Sequence, residues 1–268
     1  MSKFCTLEEA IACVPDGALL ALGGNTLNRA PMAAVRELAR QRKRGLRLVK
    51  TAGAMDIDLL CLAGCASEVD AGFVSYESQF SLCRHYRKAV ETGQVKANEH
   101  ACYTVISALR AAACGIPFMP VRGIRETDLT RSNPRLKQAR DPFTGQDIAA
   151  VQAIRPDFAI LHAHQADEAG NAWIDGPVYE DVLMSQAAKT VLITAEELVG
   201  EGTFRRQGRK AQVPGFLVAR VAIVPRGAAP AAMYGCYPVD EEEIRAFLRL
   251  QHPAELEGYL MGRREALP

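Results

Sequence analysis

None of the eight cysteines in this 268-residue sequence forms a Cys-x-x-Cys pair. Cys61 and Cys65 lie four apart on a predicted helix, without the matching Cys or His partners that a zinc site requires. Reduced, mostly buried cysteines and no bound metal are therefore expected. No apolar run approaches the roughly 18 residues of a membrane span, and the N-terminus lacks the basic-then-apolar pattern of a signal peptide. The expectation is a cytoplasmic protein with no membrane partner. A net charge of only +1 excludes a strong field toward nucleic acid or an anionic surface. The basic run Arg40-Gln-Arg-Lys-Arg44 falls at the end of a predicted helix, where solvated cations complement the dipole. There is no Gly-x-Gly-x-x-Gly, no Gly-Lys-Ser/Thr and no Gly-x-Ser-x-Gly, so dinucleotide, nucleoside-triphosphate and serine-hydrolase sites lack support. Trp173, the single tryptophan, is read as a packing residue.

What the chain does contain is repeated strand–loop–helix alternation. Thr6-Leu-Glu-Glu9 fits a capping box, opening a helix to about Val14 that stops at the turn Pro15-Asp-Gly17. Residues 18–22 are continuously apolar, as in a strand buried on both faces. Pro31 then takes the first position of a helix whose stripe is Ala34, Val35, Leu38 and Ala39. Strands at 46–49 and 69–74 alternate with helices at 56–63 and about 80–90, and another helix spans about 99–113. Periodic structure resumes at 148–154, 158–163, 191–194 and 216–224, a last helix begins near Glu241, and Pro253 limits the tail. This pattern predicts an α/β fold with an open, mainly parallel sheet flanked by helices. Residues 123–146 read as a long polar loop, of the kind that shapes function. No repeat, low-complexity tract or linker interrupts the chain, so one domain over 1–268 is expected.

Ligands of open parallel sheets sit where strand carboxyl ends meet loops. Two segments have that form: Ala18-Leu-Leu-Ala-Leu-Gly-Gly-Asn25, and the run from Asp157 through His162 and His164 to Gly170-Asn171. Gly23 and Gly24 permit close backbone approach and offer amides for an anion or oxyanion, or they form a plain tight turn. Ser75-Tyr-Glu-Ser78 sets two hydroxyls and Glu77 at a carboxyl end, either facing a ligand or capping a helix. His162 and His164 alternate onto one strand face, in a structural or supporting role. Glu99 stands at a predicted helix start, where the dipole favours an acid. Glu196-Glu197 close a strand, where like charges raise one pKa if buried.

Together these segments resemble the A (alpha) subunit of family I coenzyme A transferases, the glutaconate CoA-transferase type in particular. The resemblance is carried by Ala21-Leu-Gly-Gly-Asn-Thr26 with Arg29-Ala-Pro31, Ala111-Ala-Ala-Cys-Gly-Ile-Pro-Phe-Met-Pro120, and Phe158-Ala-Ile-Leu-His-Ala163 with Gly170-Asn171. Thr194-Ala-Glu-Glu-Leu198 and Val224-Pro-Arg-Gly-Ala-Ala-Pro230 with Tyr234-Gly235 extend it almost to the C-terminus. It implies the CoA-transferase (NagB/RpiA-like) fold and a separate B (beta) subunit carrying the nucleophilic glutamate. It also implies acyl-CoA and a carboxylic acid as substrates, with no permanently bound cofactor. No nucleophile motif is placed here, since Glu77 lacks the following Gly context. This chain is then expected to wall the pocket, with Gly23, Gly24 and Asn25 touching oxyanion or carboxylate and Ser75 and Ser78 facing the substrate. An α2β2 heterotetramer, or a larger assembly, is what the resemblance implies. Departures at Asn25-Thr-Leu-Asn28 and at Ala229, where many relatives have His, bear on the acid substrate and not on the fold.

The chain is similar also to the A-type chain of a branch that opens a CoA-linked ring by carbon–carbon hydrolysis in steroid breakdown. There the partner's glutamate is absent and a glutamate of the A-type chain is implicated. Glu99 matches its position by spacing, and Gly72-Phe-Val-Ser75 and Val121-Arg122 also look closer to this branch. A third reading is a non-catalytic subunit that binds and stabilises its partner.

Overall fold

The computed structural model describes residues 3–261. Among the described residues eleven strands form: β1 (Leu19–Leu22), β2 (Leu46–Gly53), β3 (Ala66–Val74), β4 (Lys96–Glu99), β5 (Phe118–Val121), β6 (Leu136–Arg140), β7 (Asp147–Gln152), β8 (Phe158–Asp167), β9 (Ala172–Trp173), β10 (Thr190–Val199) and β11 (Val218–Ile223). Seven of them make the main sheet in the order β11-β10-β8-β1-β2-β3-β4, with every neighbouring pair parallel. β9 pairs antiparallel with β8. The open, mainly parallel sheet read from the sequence is therefore present.

The apolar run of β1 faces both ways. Leu20 and Leu22 join one hydrophobic cluster with Met32, Val35 and Leu38 of the Met32–Arg40 helix. Leu19 and Ala21 join the opposite one with Val105 and Leu109 of the Cys102–Ala113 helix. A strand between two helical layers must bury alternate side chains on both faces, which is why it reads as continuously apolar. The strand order places β2, β3 and β4 on one side of β1, and β8, β10 and β11 on the other. The chain reverses its direction of growth between β1 and β8, the position where open α/β sheets bind ligands.

The capping box at Thr6 is formed: Glu9 N donates to Thr6 Oγ1 at 3.1 Å and Thr6 N donates to Glu9 Oε2 at 2.9 Å. Other expectations are corrected. Residues 123–146 hold a short helix, Leu129–Ser132, and β6, which pairs antiparallel with β7 in a second sheet ordered β5-β7-β6. Polar β6 belongs to a thin sheet, where one solvated face removes the apolar signal. Glu99 does not start a helix; it ends β4, and the helix begins at Cys102. Pro31 is the N-cap and not the first helical residue. The helix expected at about 80–90 divides into Glu77–Phe80 and Arg84–Glu91, and Pro253 opens a helix to Met261. Of the cysteines, Cys61, Cys65 and Cys83 are buried, whereas Cys13, Cys102, Cys114 and Cys236 are exposed; all eight are free thiols.

One buried acid in this frame carries a pH dependence. Asp58, in the Met55–Leu62 helix, accepts from Tyr86 N at 2.8 Å and Tyr76 Oη at 3.0 Å. Burial dominates these bonds and pushes its pKa up to about 6. Between about pH 4 and pH 6 the native state holds a proton that the unfolded chain has released, so stability falls as pH rises. The expected loss across that window is about 3 kcal/mol. Denaturant melts of Asp58→Asn against the parent, from pH 4 to 7, should show that slope only in the parent.

Candidate active site at the carboxyl ends of the strands

β1 runs directly into Gly23-Gly24, and the loop is clamped from two sides. On one face, Asp181 Oδ1 accepts from Gly24 N at 2.8 Å while its other oxygen pairs with Arg29. Arg29 also donates to the carbonyls of His162 at 2.9 Å and Pro177 at 3.2 Å. On the other face, Lys50 Nζ donates to Gly23 O at 2.7 Å and to Asp56 Oδ2 at 2.5 Å. Asp56 Oδ1 in turn accepts from Ala54 N and Ile57 N. Lys50, Asp56 and Asp181 have no exposed surface. Buried charges persist only when paired and hydrogen-bonded, and both pairs meet that condition.

The glycines are required by this packing. A Cβ on Gly23 would lie 2.7 Å from Asp181 Oδ2, and one on Gly24 2.5 Å from the Arg29 and Asn28 carbonyl oxygens, with φ at +69°. The idea of free loop amides is corrected, however. Gly23 N donates to Ile160 O, Gly24 N to Asp181, and Asn25 N to Asn28 O at 2.9 Å. What the loop presents is the Asn25 side chain, half-buried and with no hydrogen bond among the described residues.

The carboxyl ends of β8 and β10 bear a second network. His162 contacts Thr194 Oγ1 through Nδ1 and Glu196 Oε1 through Nε2, both at 2.8 Å. Glu196 also accepts from Tyr237 Oη and, at 2.6 Å, from Arg226 N. Burial raises its pKa, but these donors outweigh burial and hold it below the usual range, the reverse of the rise expected at Glu196-Glu197. His164 accepts from Asp175 N at its Nδ1 and meets Tyr234 O at its Nε2. The carbonyl can only accept, so Nε2 carries the proton. Both histidines hold loops in place. The Trp173 ring packs beside Phe204 and under the Arg209 guanidinium.

Ser75, Ser78 and Glu99 lie at the other end of the row. Ser75 Oγ donates to Ser81 O at 3.0 Å, so it closes its own loop and caps no helix; Ser78 is exposed. Glu99 is exposed at the end of β4, its carbonyl held by Asn133 Nδ2 at 2.7 Å. Next to it, His100 and Asp70 are buried together, with Arg135 Nε 2.7 Å from Asp70 Oδ1. Three strand spacings separate β4 from β1, roughly 14 Å. The Gly23 loop and Glu99 therefore mark opposite parts of one rim.

A parallel α/β sheet whose strand order reverses beside a doubly clamped glycine loop has the form in which open α/β sheets bind ligands. The sequence pattern of the family described as Coenzyme A transferase matches residues 4–223, and the chain belongs to that family. It is 31% identical to the A chain of glutaconate CoA-transferase from Acidaminococcus fermentans, over 95% of this chain and 85% of that one. It is 34% identical to the A chain of 3-oxoadipate CoA-transferase from Pseudomonas knackmussii, over 92% and 88%. The crystal structure of the Acidaminococcus enzyme superimposes with a TM-score of 0.92, covering 97% of this chain and 88% of that chain. A variant of the decarboxylase AibA/AibB superimposes at 0.88, with 37% identity, 98% of this chain and all of that one. The cholesterol ring-cleaving hydrolase IpdA subunit of Rhodococcus jostii is 30% identical over 74% of this chain and 71% of its own length. An uncharacterized protein of Archaeoglobus fulgidus, 35% identical over 94% of the chain, is longer, and this chain spans 57% of it. Among the described residues, no helix is long and apolar enough to cross a membrane.

Proposed function

We propose that this chain is the A-type subunit of a heteromeric CoA-transferase, moving CoA between an acyl-CoA and a carboxylic acid, with the nucleophile on a B-type partner. The observation that carries this reading is that Asp181 and Asp56, the carboxylates that hold the Gly23-Gly24 loop, are both committed to buried ion pairs. Neither is free to attack a thioester, which fits a nucleophile supplied from outside this loop. In that chemistry a partner glutamate oxygen attacks the thioester carbonyl and expels CoA thiolate, leaving an acyl-glutamyl anhydride. The thiolate then attacks the glutamyl carbonyl and releases the first acid, and the second acid takes over the CoA by the reverse steps. One difficult exchange becomes several easier ones. On this reading the Gly23-Gly24-Asn25 loop, with Ser75 and Ser78 farther along the rim, is this chain's contribution to substrate contact, the half-buried Asn25 side chain being free to make it. Exposed Phe73, Tyr103 and Tyr234 support a partner packed on the rim, in an α2β2 heterotetramer or a larger assembly. The eight free thiols support a cytoplasmic setting.

A ring-opening hydrolase is the second reading, favoured by the exposed Glu99 carboxylate, which has no partner among the described residues, together with the likeness to the IpdA protein. Glu99→Gln in the co-expressed complex separates the two. Transfer of CoA between acids should fall by no more than about threefold, whereas ring hydrolysis resting on Glu99 as its acid or base would fall by about 100-fold or more. A drop of the second size overturns the transferase reading, and unchanged turnover sinks the hydrolase.

A further inference from the structure

The basic run Arg40-Gln-Arg-Lys-Arg44 has no part in the crevice, and the fold does not leave it as a bare helix end. Its cations line a groove of about 470 Å³ between the Met32–Arg40 and Pro253–Met261 helices, a size that suits a small ligand. Ala39, Ala63, Leu256 and Leu260 give the groove an apolar floor, and exposed Met261 extends it. Arg40 pins the two helices together, donating to Leu260 O at 3.1 Å and pairing with Glu37. The other cations are less committed. Lys43 Nζ reaches Ala12 O at 3.3 Å, and the Arg44 side chain makes no hydrogen bond or ion pair among the described residues. Arg42 meets Glu257, the one acid of the lining among the described residues, in a surface pair that contributes little. The groove lies far from the crevice. Gly17 N donates to Arg44 O just before β1, and Leu46 N to Cys65 O where β2 and β3 begin, both at 2.9 Å. These are the amino ends of the strands, and the eight residues of β2 separate them from the carboxyl-end rim by about 26 Å.

We propose that this groove binds a medium-chain carboxylate, an anionic amphiphile, at a site separate from the crevice. The tail lies along the apolar floor and is held by burial of its methylenes. The carboxylate meets Lys43 and Arg44, whose guanidinium fork matches a planar anion, in charge-assisted hydrogen bonds. Arg42, Lys43 and Arg44 against the single acid Glu257 leave the lining positive, which selects against an amphiphile with a cationic head.

Titration calorimetry of the full chain with decanoate, below its micelle threshold, should show one saturable site. Octanoate should bind about tenfold more weakly, since each methylene is worth roughly fourfold. The double variant Lys43→Gln/Arg44→Gln should lose about tenfold or more in affinity, while its melting temperature stays with the parent's, as for other surface changes. Decyltrimethylammonium, with the same chain and the opposite charge, should not compete. Asn25→Ala, in the crevice, should leave the affinity unchanged. Equal binding of the two amphiphiles, an affinity that survives the double variant, or one lost in Asn25→Ala overturns the site. So does a dimer, seen by sedimentation, that the double variant dissolves while decanoate fails to bind, since the groove then belongs to a second copy of the chain.

Discussion

Lys50→Met should destabilise the chain by about 3–5 kcal/mol, because it leaves the Asp56 carboxylate buried without its partner. For a chain of this size that is a fall in melting temperature on the order of 10 °C. The residue sits within β2 with no exposed surface, and its ammonium bridges Gly23 O and Asp56. Methionine fills nearly the same volume, so packing changes little and the loss reports the stranded charge. The companion Lys50→Met/Asp56→Asn variant should recover most of it, since removing both charges removes the desolvation penalty as well. Thermal melts of the two variants decide the matter. A single-variant loss under about 1 kcal/mol would mean that the pair is solvated and the loop not clamped as described.

Gly24→Ala should be the most damaging glycine change, costing about 3 kcal/mol or more and removing activity with the partner. Its φ of +69° is strained for alanine, and the new methyl would meet the Arg29 and Asn28 backbone at 2.5 Å, where no side chain can swing aside. Gly64 supplies the control. It has φ +68° but nothing within 4 Å of a Cβ, so Gly64→Ala should cost only the conformational penalty, about 1 kcal/mol. Equal melting temperatures for the two variants would show that the close approach at Gly24 is not real.

These expectations show where the sequence was legible. The central strands could be read because burial on both faces leaves an unbroken apolar run, as at 18–22, and the carboxyl-end rule then pointed to Gly23-Gly24. The clamp on that loop could not. Arg29 and Asp181 are 152 residues apart, and no local pattern announces a pair brought together only by the sheet. Lys50 did leave a signal, a lysine within a strand followed six residues later by Asp56, but such a lysine reads equally as a solvated strand end. β4 and β6 were missed because short or half-solvated strands at an edge carry little apolar periodicity. Glu99 was consequently assigned to a helix start. Nor does any local pattern show the amides of the glycine loop to be occupied, because their acceptors, Ile160 O and the Asp181 carboxylate, come from distant segments. Glu196 shows the limit of charge counting, since three donors around it outweigh its burial.

The central claim is that this chain shapes the crevice while a partner carboxylate performs the covalent step. The most direct test is mass spectrometry of the co-expressed complex after incubation with an acyl-CoA panel and borohydride, which reduces a trapped glutamyl-CoA thioester to an alcohol. The account predicts the corresponding mass change on one glutamate peptide of the B-type partner and none on this chain. A modified glutamate in this chain, at Glu99 or Glu180, or opening of cyclic CoA esters with no adduct on either chain, would contradict it.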